Sequence, residues 1–342
     1  MKRILGLILT VLVSIMIVSV FSLAGCKAEE EVAEETKYNF VMWWPIVHPF
    51  CDLLEEGLDQ FEEDYGIEVE VVLGTEPSFE EEMQMLEALA AKDYDGIMAF
   101  PMDSTAMNSV YQEIIDEGII AINYCAPVDE PTPVSFTVAT DVKNQGVLAA
   151  EKVIEEMGEE GNIVNILEQL LDPNTVLRKE GVEETVEKYP DVEIIQEVAG
   201  MQLLDECTEK ITNVMATLGD QIDGMVTTGV NPTIALSQIM IENKNDRIAY
   251  VGCDVDEVTE QGIREGYVTG TFAQNPYNIA YTSALLMKLL VDGYTPKEDF
   301  TFVDAGGLIV TKENIDSYDD LLWDLTFEQA DKIEDYLNPP SE

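Results

Sequence analysis

Short apolar runs and amphipathic stretches of helical length alternate along most of this chain, and they do so in two successive series. Apolar runs of about 4–8 residues bounded by turn signals fit strands that are covered on both faces. Helices between such strands fit crossover connections, so the pattern demands parallel sheets. The first series reads as strands over Tyr38–Trp43, Ile67–Leu73, Gly96–Phe100, Ile119–Asn123 and Phe136–Ala139. Helices are expected over Pro49–Tyr65, from a Ser78/Glu81 capping box onward, and over Ser104–Glu117. The second series reads as strands over Asn162–Leu167, Glu193–Val198, Gly224–Thr227, Ile248–Gly252 and Val268–Phe272. Its helices are expected over Lys143–Met157, Val176–Lys188, Leu204–Leu218, Thr233–Asn243, Thr259–Glu265 and Tyr277–Val291. The fold class that follows is α/β, with two doubly wound parallel-sheet lobes. Beyond them, Leu321, Leu322, Trp323, Leu325 and Phe327 stand among acids, and Ser317–Tyr336 is expected to form a helix that packs on one lobe.

The first residues carry a different signal. Lys2 and Arg3 precede an apolar run from Ile4 to Val20, and Leu23-Ala24-Gly25-Cys26 follows. Small residues before a cysteine at the end of such a run resemble the bacterial lipoprotein box. The expectation is a signal peptide over 1–25, lipidation of Cys26, an acidic linker over 26–37, and an extracytoplasmic chain tethered to the membrane only through its lipid. No later apolar run approaches the ~18 residues of a membrane helix.

Composition excludes several functions. Lys plus Arg number 18 against 68 Asp plus Glu, a formal charge of −50. Such a surface repels nucleic acid and anionic lipid, and suits a saline medium that screens it. Cys51, Cys125, Cys207 and Cys253 form no CxxC pair, so a zinc site is not expected and buried thiols are. Should any two pair, Cys51 and Cys125 are nominated, because the fold brings both to the cleft side of one lobe. There is one histidine, and no GxSxG, HExxH or Walker sequence. No enzyme, cofactor or metal is expected.

Several stretches carry a resemblance. They are His48-Pro49-Phe50 after the first strand, Gly96-Ile97 with Pro101-Met102-Asp103, Ala139-Thr140-Asp141, Arg178-Lys179-Glu180-Gly181, Asn231, Val251-Gly252-Cys253-Asp254 and Ala273-Gln274-Asn275-Pro276. In this order and spacing the chain resembles the ribose/galactose-type periplasmic solute-binding proteins (type I fold) of ABC sugar importers, from about Tyr38 to Ile309. The resemblance implies an N-terminal lobe of 38–140 plus 275–303, a C-terminal lobe of 141–274 plus 304–316, and a helical tail over 317–342. Chain crossings near Thr140, Asn275 and Asp304 would form a three-crossing hinge that closes on a ligand. Ligands of open parallel sheets bind outside the carboxyl ends of the strands. By resemblance, Arg178, Asn231, Asp254 and Gln274 stand where the family contacts its sugar. Arg178, read in a loop at a strand-to-helix junction, is notable in its own right because arginine is rare here. Trp44 and Phe50 are candidate stacking platforms for sugar C–H faces, with Trp43 sent to the core by strand alternation. His48 stands where the family often has Asn, and Tyr124-Cys125 where it often has Asp-Arg, which makes His48 and Cys125 candidate contacts as well.

The function implied is capture of a monosaccharide and delivery to an ABC transporter permease by a monomer. The alternative keeps the fold and changes the solute to autoinducer-2, a polyol or another small polar molecule, for uptake or for a chemoreceptor. Gly74-Thr75-Glu76-Pro77-Ser78 has some likeness to autoinducer-2 receptors.

Overall fold

Strand β1 (Phe40–Trp44) is buried along its whole length. Alternation sends Phe40, Met42 and Trp44 into one apolar cluster and Val41 and Trp43 into another. A strand buried on both faces needs helices on both sides, and the chain repeats that arrangement in both halves. The computed structural model describes residues 38–45, 49–75, 78–170 and 172–340.

The first sheet runs β2–β1–β3–β4–β5–β12, all parallel, with β2 at Val69–Leu73, β3 at Gly96–Ala99, β4 at Ile120–Tyr124, β5 at Phe136–Ala139 and β12 at Thr301–Asp304. Helices α1 (Pro49–Tyr65), α2 (Phe79–Ala90) and α3 (Met107–Asp116) connect its strands. The second sheet repeats the order as β7–β6–β8–β9–β10–β13. Its strands are β6 (Gly161–Ile166), β7 (Val192–Val198), β8 (Gly224–Thr227), β9 (Ala249–Cys253), β10 (Gly270–Gln274) and the antiparallel β13 (Gly307–Val310). Helices α4 (Val142–Met157), α5 (Pro173–Val186), α6 (Leu204–Leu218), α7 (Val230–Asn243) and α8 (Glu257–Glu265) accompany it. Helix α9 (Pro276–Val291) leaves the second sheet but packs Ile279, Ala280, Leu286 and Met287 into the core of the first lobe.

The chain therefore crosses between lobes after β5, after β10 and between β12 and β13. The crossings are tied to one another. Thr140 Oγ1 donates to Gly306 O at 3.3 Å, the Asp141 N–H donates to Asp304 Oδ1 at 3.0 Å, and Asn278 Nδ2 donates to Ala305 O at 2.9 Å.

The C-terminal segment departs from the expected single helix on one lobe. Helix α10 spans Tyr318–Ala330, and the chain then makes a 3₁₀ turn over Ile333–Tyr336. Leu322 belongs to the core of the second lobe, whereas Ile333 and Leu337 belong to that of the first. Trp323 stacks on Tyr277 with ring centroids 4.7 Å apart, and Asn275 Nδ2 donates to Leu322 O at 2.8 Å. A short antiparallel pair, β11 (Thr295–Pro296) with β14 (Leu337–Asn338), ends the chain on the first lobe. The segment thus straps both lobes beside the hinge.

Two local expectations need correction. Ser78 caps α2 by accepting the Glu81 N–H at 3.2 Å, but the Glu81 carboxylate accepts from the Thr75 N–H and hydroxyl at 2.8 and 2.7 Å. The reciprocal half of the box is spent on the preceding loop. Arg178 is not in a loop. Asp172 accepts the Asn174 and Thr175 N–H groups and Pro173 takes the first turn, so α5 starts at Pro173 and Arg178 lies inside it. Cys51, Cys125, Cys207 and Cys253 are all thiols, with no disulfide among them.

Candidate functional site

A cavity of about 260 Å³ opens at the carboxyl ends of the strands, with both lobes contributing to its wall. From the first lobe come Trp44 and Pro45 at the end of β1, Phe50, Cys51 and Leu54 from the opening turns of α1, Phe100 after β3, and Tyr124 and Cys125 at the end of β4. From the second come Asn174 and Arg178 of α5, Asp254 after β9, and Gln274 at the end of β10. A wider hollow of about 600 Å³, lined by Gly161, Asp223, Arg247 and Ala249, lies at the opposite, amino ends of the second sheet's strands. No group of side chains suited to a metal occurs among the described residues.

Arg178 is the charged centre of the cavity and is 8% exposed. Its Nε–H donates to Gln145 Oε1 at 2.8 Å and Nη1 donates to Thr228 O at 3.2 Å. Gln145 is itself fixed by donating from Nε2 to Cys253 Sγ at 3.0 Å. These bonds hold the fork by one edge and leave further N–H groups for a ligand. Burial works against the guanidinium charge, but Cys253, Asp254, Asp172 and Glu168 outweigh it and hold the pKa above its ordinary value.

Asp254 sits at φ 65°, a left-handed conformation unusual for a residue with a side chain. Its N–H donates to Phe272 O at 2.8 Å, and its carboxylate accepts from Gln274 Nε2 at 2.8 Å and from the Cys253 thiol at 3.6 Å. The strained turn delivers a carboxylate to the cavity with its neighbour Gln274 already oriented.

On the first lobe, Trp44 is 2% exposed and its indole Nε1 has no hydrogen-bond partner. Asn174 Oδ1, across the cleft, is likewise buried without a partner. Buried polar atoms left unpaired are costly and suit a site built for a polar ligand. The Tyr124 hydroxyl is already committed, donating to Trp43 O at 2.7 Å. Burial pushes the Cys125 thiol up, with Cys51 adding to the shift.

Of the residues singled out from the sequence, Trp44, Phe50, Cys125, Arg178, Asp254 and Gln274 meet at this cavity. Asn231 does not line it: its Nδ2 donates to Gln202 O at 2.8 Å. His48 and Cys26 lie outside the described residues. Glu168, which sequence reasoning passed over, follows β6 and is half-buried; its carboxylate accepts the Asn231 N–H. A Cβ on Gly229 would come within 2.0 Å of Glu168 Cδ, so only glycine admits this carboxyl at the start of α7. Burial pushes Glu168 up to about 7, opposed by Arg178. Position at a strand's carboxyl end was the one signal that could have found it.

Two lobes wound alike are joined by three crossings that bind one another, and the cleft between them is set with an arginine, a carboxylate, amides and aromatic rings. The chain belongs to the periplasmic binding protein domain family, whose sequence pattern matches residues 40–295. It is 23% identical over 262 residues to the xylitol-binding protein of Mycolicibacterium smegmatis, covering 77% of this chain and 74% of that one. It is also 23% identical over 256 residues to the D-allose-binding periplasmic protein of Escherichia coli, covering 72% and 81%. Among solved structures, that of a sugar ABC transporter sugar-binding protein from Bacillus halodurans superposes with a TM-score of 0.76 at 22% identity, over 82% of this chain and 99% of that one. The fold is that of the type I periplasmic binding proteins.

Proposed function

We propose that the chain is an extracytoplasmic binding protein that captures a monosaccharide between its lobes and delivers it to an ABC transporter permease, without breaking a bond. The observation that carries this reading is the joint placement of Arg178, Asp254 and Gln274 opposite Trp44, Phe50 and Phe100 in one cavity of about 260 Å³. A water's share of liquid volume is about 30 Å³, so the space suits a solute of roughly pentose or hexose size. Carboxylate, amide and guanidinium groups together satisfy hydroxyls that both donate and accept, while rings cover C–H faces. The names of the relatives, xylitol-binding and D-allose-binding, support a polyhydroxylated ligand. The first of them keeps a linear polyol in view as a second reading.

In this reading the lobes comprise 38–140 plus 275–303 and 141–274 plus 304–316, and ligand draws them together about the crossings. Lipid attachment at Cys26 holds the monomer near its permease; docking to a chemoreceptor would use the same closed form. Titration calorimetry of the full-length protein against pentoses, hexoses, xylitol and autoinducer-2 tests the reading. One sugar or polyol is expected to bind, and Arg178→Ala is expected to cost about 2–4 kcal/mol of that binding with the fold intact by circular dichroism. Affinity left unchanged by the substitution would sink the assignment of the site.

A further inference from the structure

The two walls of the cavity are built from equivalent positions of two lobes with the same winding, and at those positions their chemistry is opposite. After the first strand of each lobe comes a helix opening on proline, Pro49 in α1 and Pro173 in α5. The next residue lines the cavity in both lobes: Phe50 in the first, Asn174 in the second. So does the residue one turn further on: Leu54 in the first, Arg178 in the second. At the end of the fourth strand each lobe turns through a left-handed residue, Cys125 at φ 64° and Asp254 at φ 65°. Each donates its N–H to the adjacent strand, Cys125 to Val138 O at 2.9 Å and Asp254 to Phe272 O at 2.8 Å. Apolar or thiol side chains stand in the first lobe wherever an amide or a charge stands in the second.

The rest of the first-lobe wall agrees. Trp44 supplies an N–H and no acceptor, and Phe100 supplies neither. Among the described residues, no side chain lining that wall bears a carboxylate or an amide. The one hydroxyl among the described side chains of that wall, Tyr124, spends its proton on Trp43 O, so apart from its oxygen and the thiol sulfurs a ligand hydroxyl pressed there meets no described side-chain acceptor, whereas a ring or ether oxygen can accept from Trp44 Nε1.

Resting on the sugar-binding reading, we propose that the ligand is a 6-deoxyhexose, a monosaccharide with one edge free of hydroxyl donors. Its hydroxylated edge meets Asn174, Arg178, Asp254 and Gln274, and its methyl-bearing edge meets Phe50, Leu54 and Phe100. A hydroxyl added at that edge would be buried without an acceptor, which weakens binding roughly 5- to 150-fold.

Paired titrations of the full-length protein test this: D-fucose with D-galactose, L-fucose with L-galactose, L-rhamnose with L-mannose, and 6-deoxy-D-glucose with D-glucose. The tightest ligand is expected to be a deoxy member, with its parent at least about fivefold weaker. A parent that binds as tightly as its deoxy partner, or more tightly, overturns this inference and leaves the sugar reading standing. No binding by these sugars, nor by pentoses or xylitol, overturns both. Phe100→Gln supplies the missing acceptor on a half-buried residue and is expected to narrow the ratio within the binding pair; an unchanged ratio overturns the placement of the methyl edge.

Discussion

Glu82 lies within α2, completely buried beneath the loop that follows β3. One carboxyl oxygen accepts the Met102 N–H at 2.9 Å, and the other has no partner. Burial pushes this carboxyl up to about 8, against the pull of the Met102 bond and with some help from the charge of Asp103. The unfolded chain releases that proton near 4.5. Between those values the folded state holds a proton the unfolded state has lost, so stability falls as pH rises through the window, and the loss is complete above the folded value. Glu82→Gln keeps an acceptor for Met102 and removes the titration. The variant is expected to melt close to the parent at pH 5 and several degrees above it at pH 8.5, by calorimetry at fixed salt. A difference that stays constant across pH would contradict the buried proton. Nothing in the run Glu80-Glu81-Glu82 marks one acid as different from its neighbours. The distinction comes from helix phase and from a loop twenty residues away in the chain, reached by a hydrogen bond.

Helix α5 carries the arginine and helix α4 holds it through Gln145, and the two touch backbone to backbone. A Cβ at Gly146 would come within 2.2 Å of Arg178 O, and one at Gly181 within 2.1 Å of Lys143 O. Neither obstacle is the end of a flexible side chain, so a methyl there moves a helix. Gly181→Ala is expected to destabilise by about 1–3 kcal/mol in urea unfolding and to weaken ligand binding as well, because Arg178 lies one turn away and is held from α4 through Gln145. Loss of stability with affinity untouched would show that the crossing does not aim the arginine. At this scale most of the chain was legible. Double burial made the strands read as apolar runs, and helices such as Pro49–Tyr65 and Leu204–Leu218 were readable to their ends from period and caps. Helix α5 opens three residues before the Val176 expected from apolar periodicity, because Asp172 caps it and Pro173 takes its first turn, and Arg178 therefore lies in its second turn rather than in a loop at the junction. The cleft was half legible for a related reason. Strand-end position points to Trp44, Asp254 and Gln274, but which side of a loop faces the cavity depends on local bonds such as that of Asn231 to Gln202. The double docking of the C-terminal strap was beyond reach, since an apolar set on one helix does not say that its two ends meet different lobes.

Taken whole, the molecule places 68 acids against 18 basic side chains, and its ion pairs offset little of that excess. Pairs such as Lys143 with Glu184 at 2.8 Å and Arg264 with Glu260 at 3.6 Å sit on exposed surface, where each contributes about 0–1 kcal/mol. The remaining carboxylates repel one another across the surface of both lobes. Self-repulsion of this kind reaches about 10 Å at 0.1 M salt and about 3 Å at 1 M. Screening is therefore expected to favour the compact state more than it costs in exposed ion pairs. The melting temperature should rise from 0.1 to 1 M, and rise equally with sodium chloride and choline chloride if screening alone is responsible. Under the proposed function, ligand affinity should change much less over the same range, because Arg178 and Asp254 would meet a neutral solute inside the cleft rather than across solvent. A melting temperature that falls with salt would mean that the few basic residues, and not the screened excess of acids, set the stability of the fold.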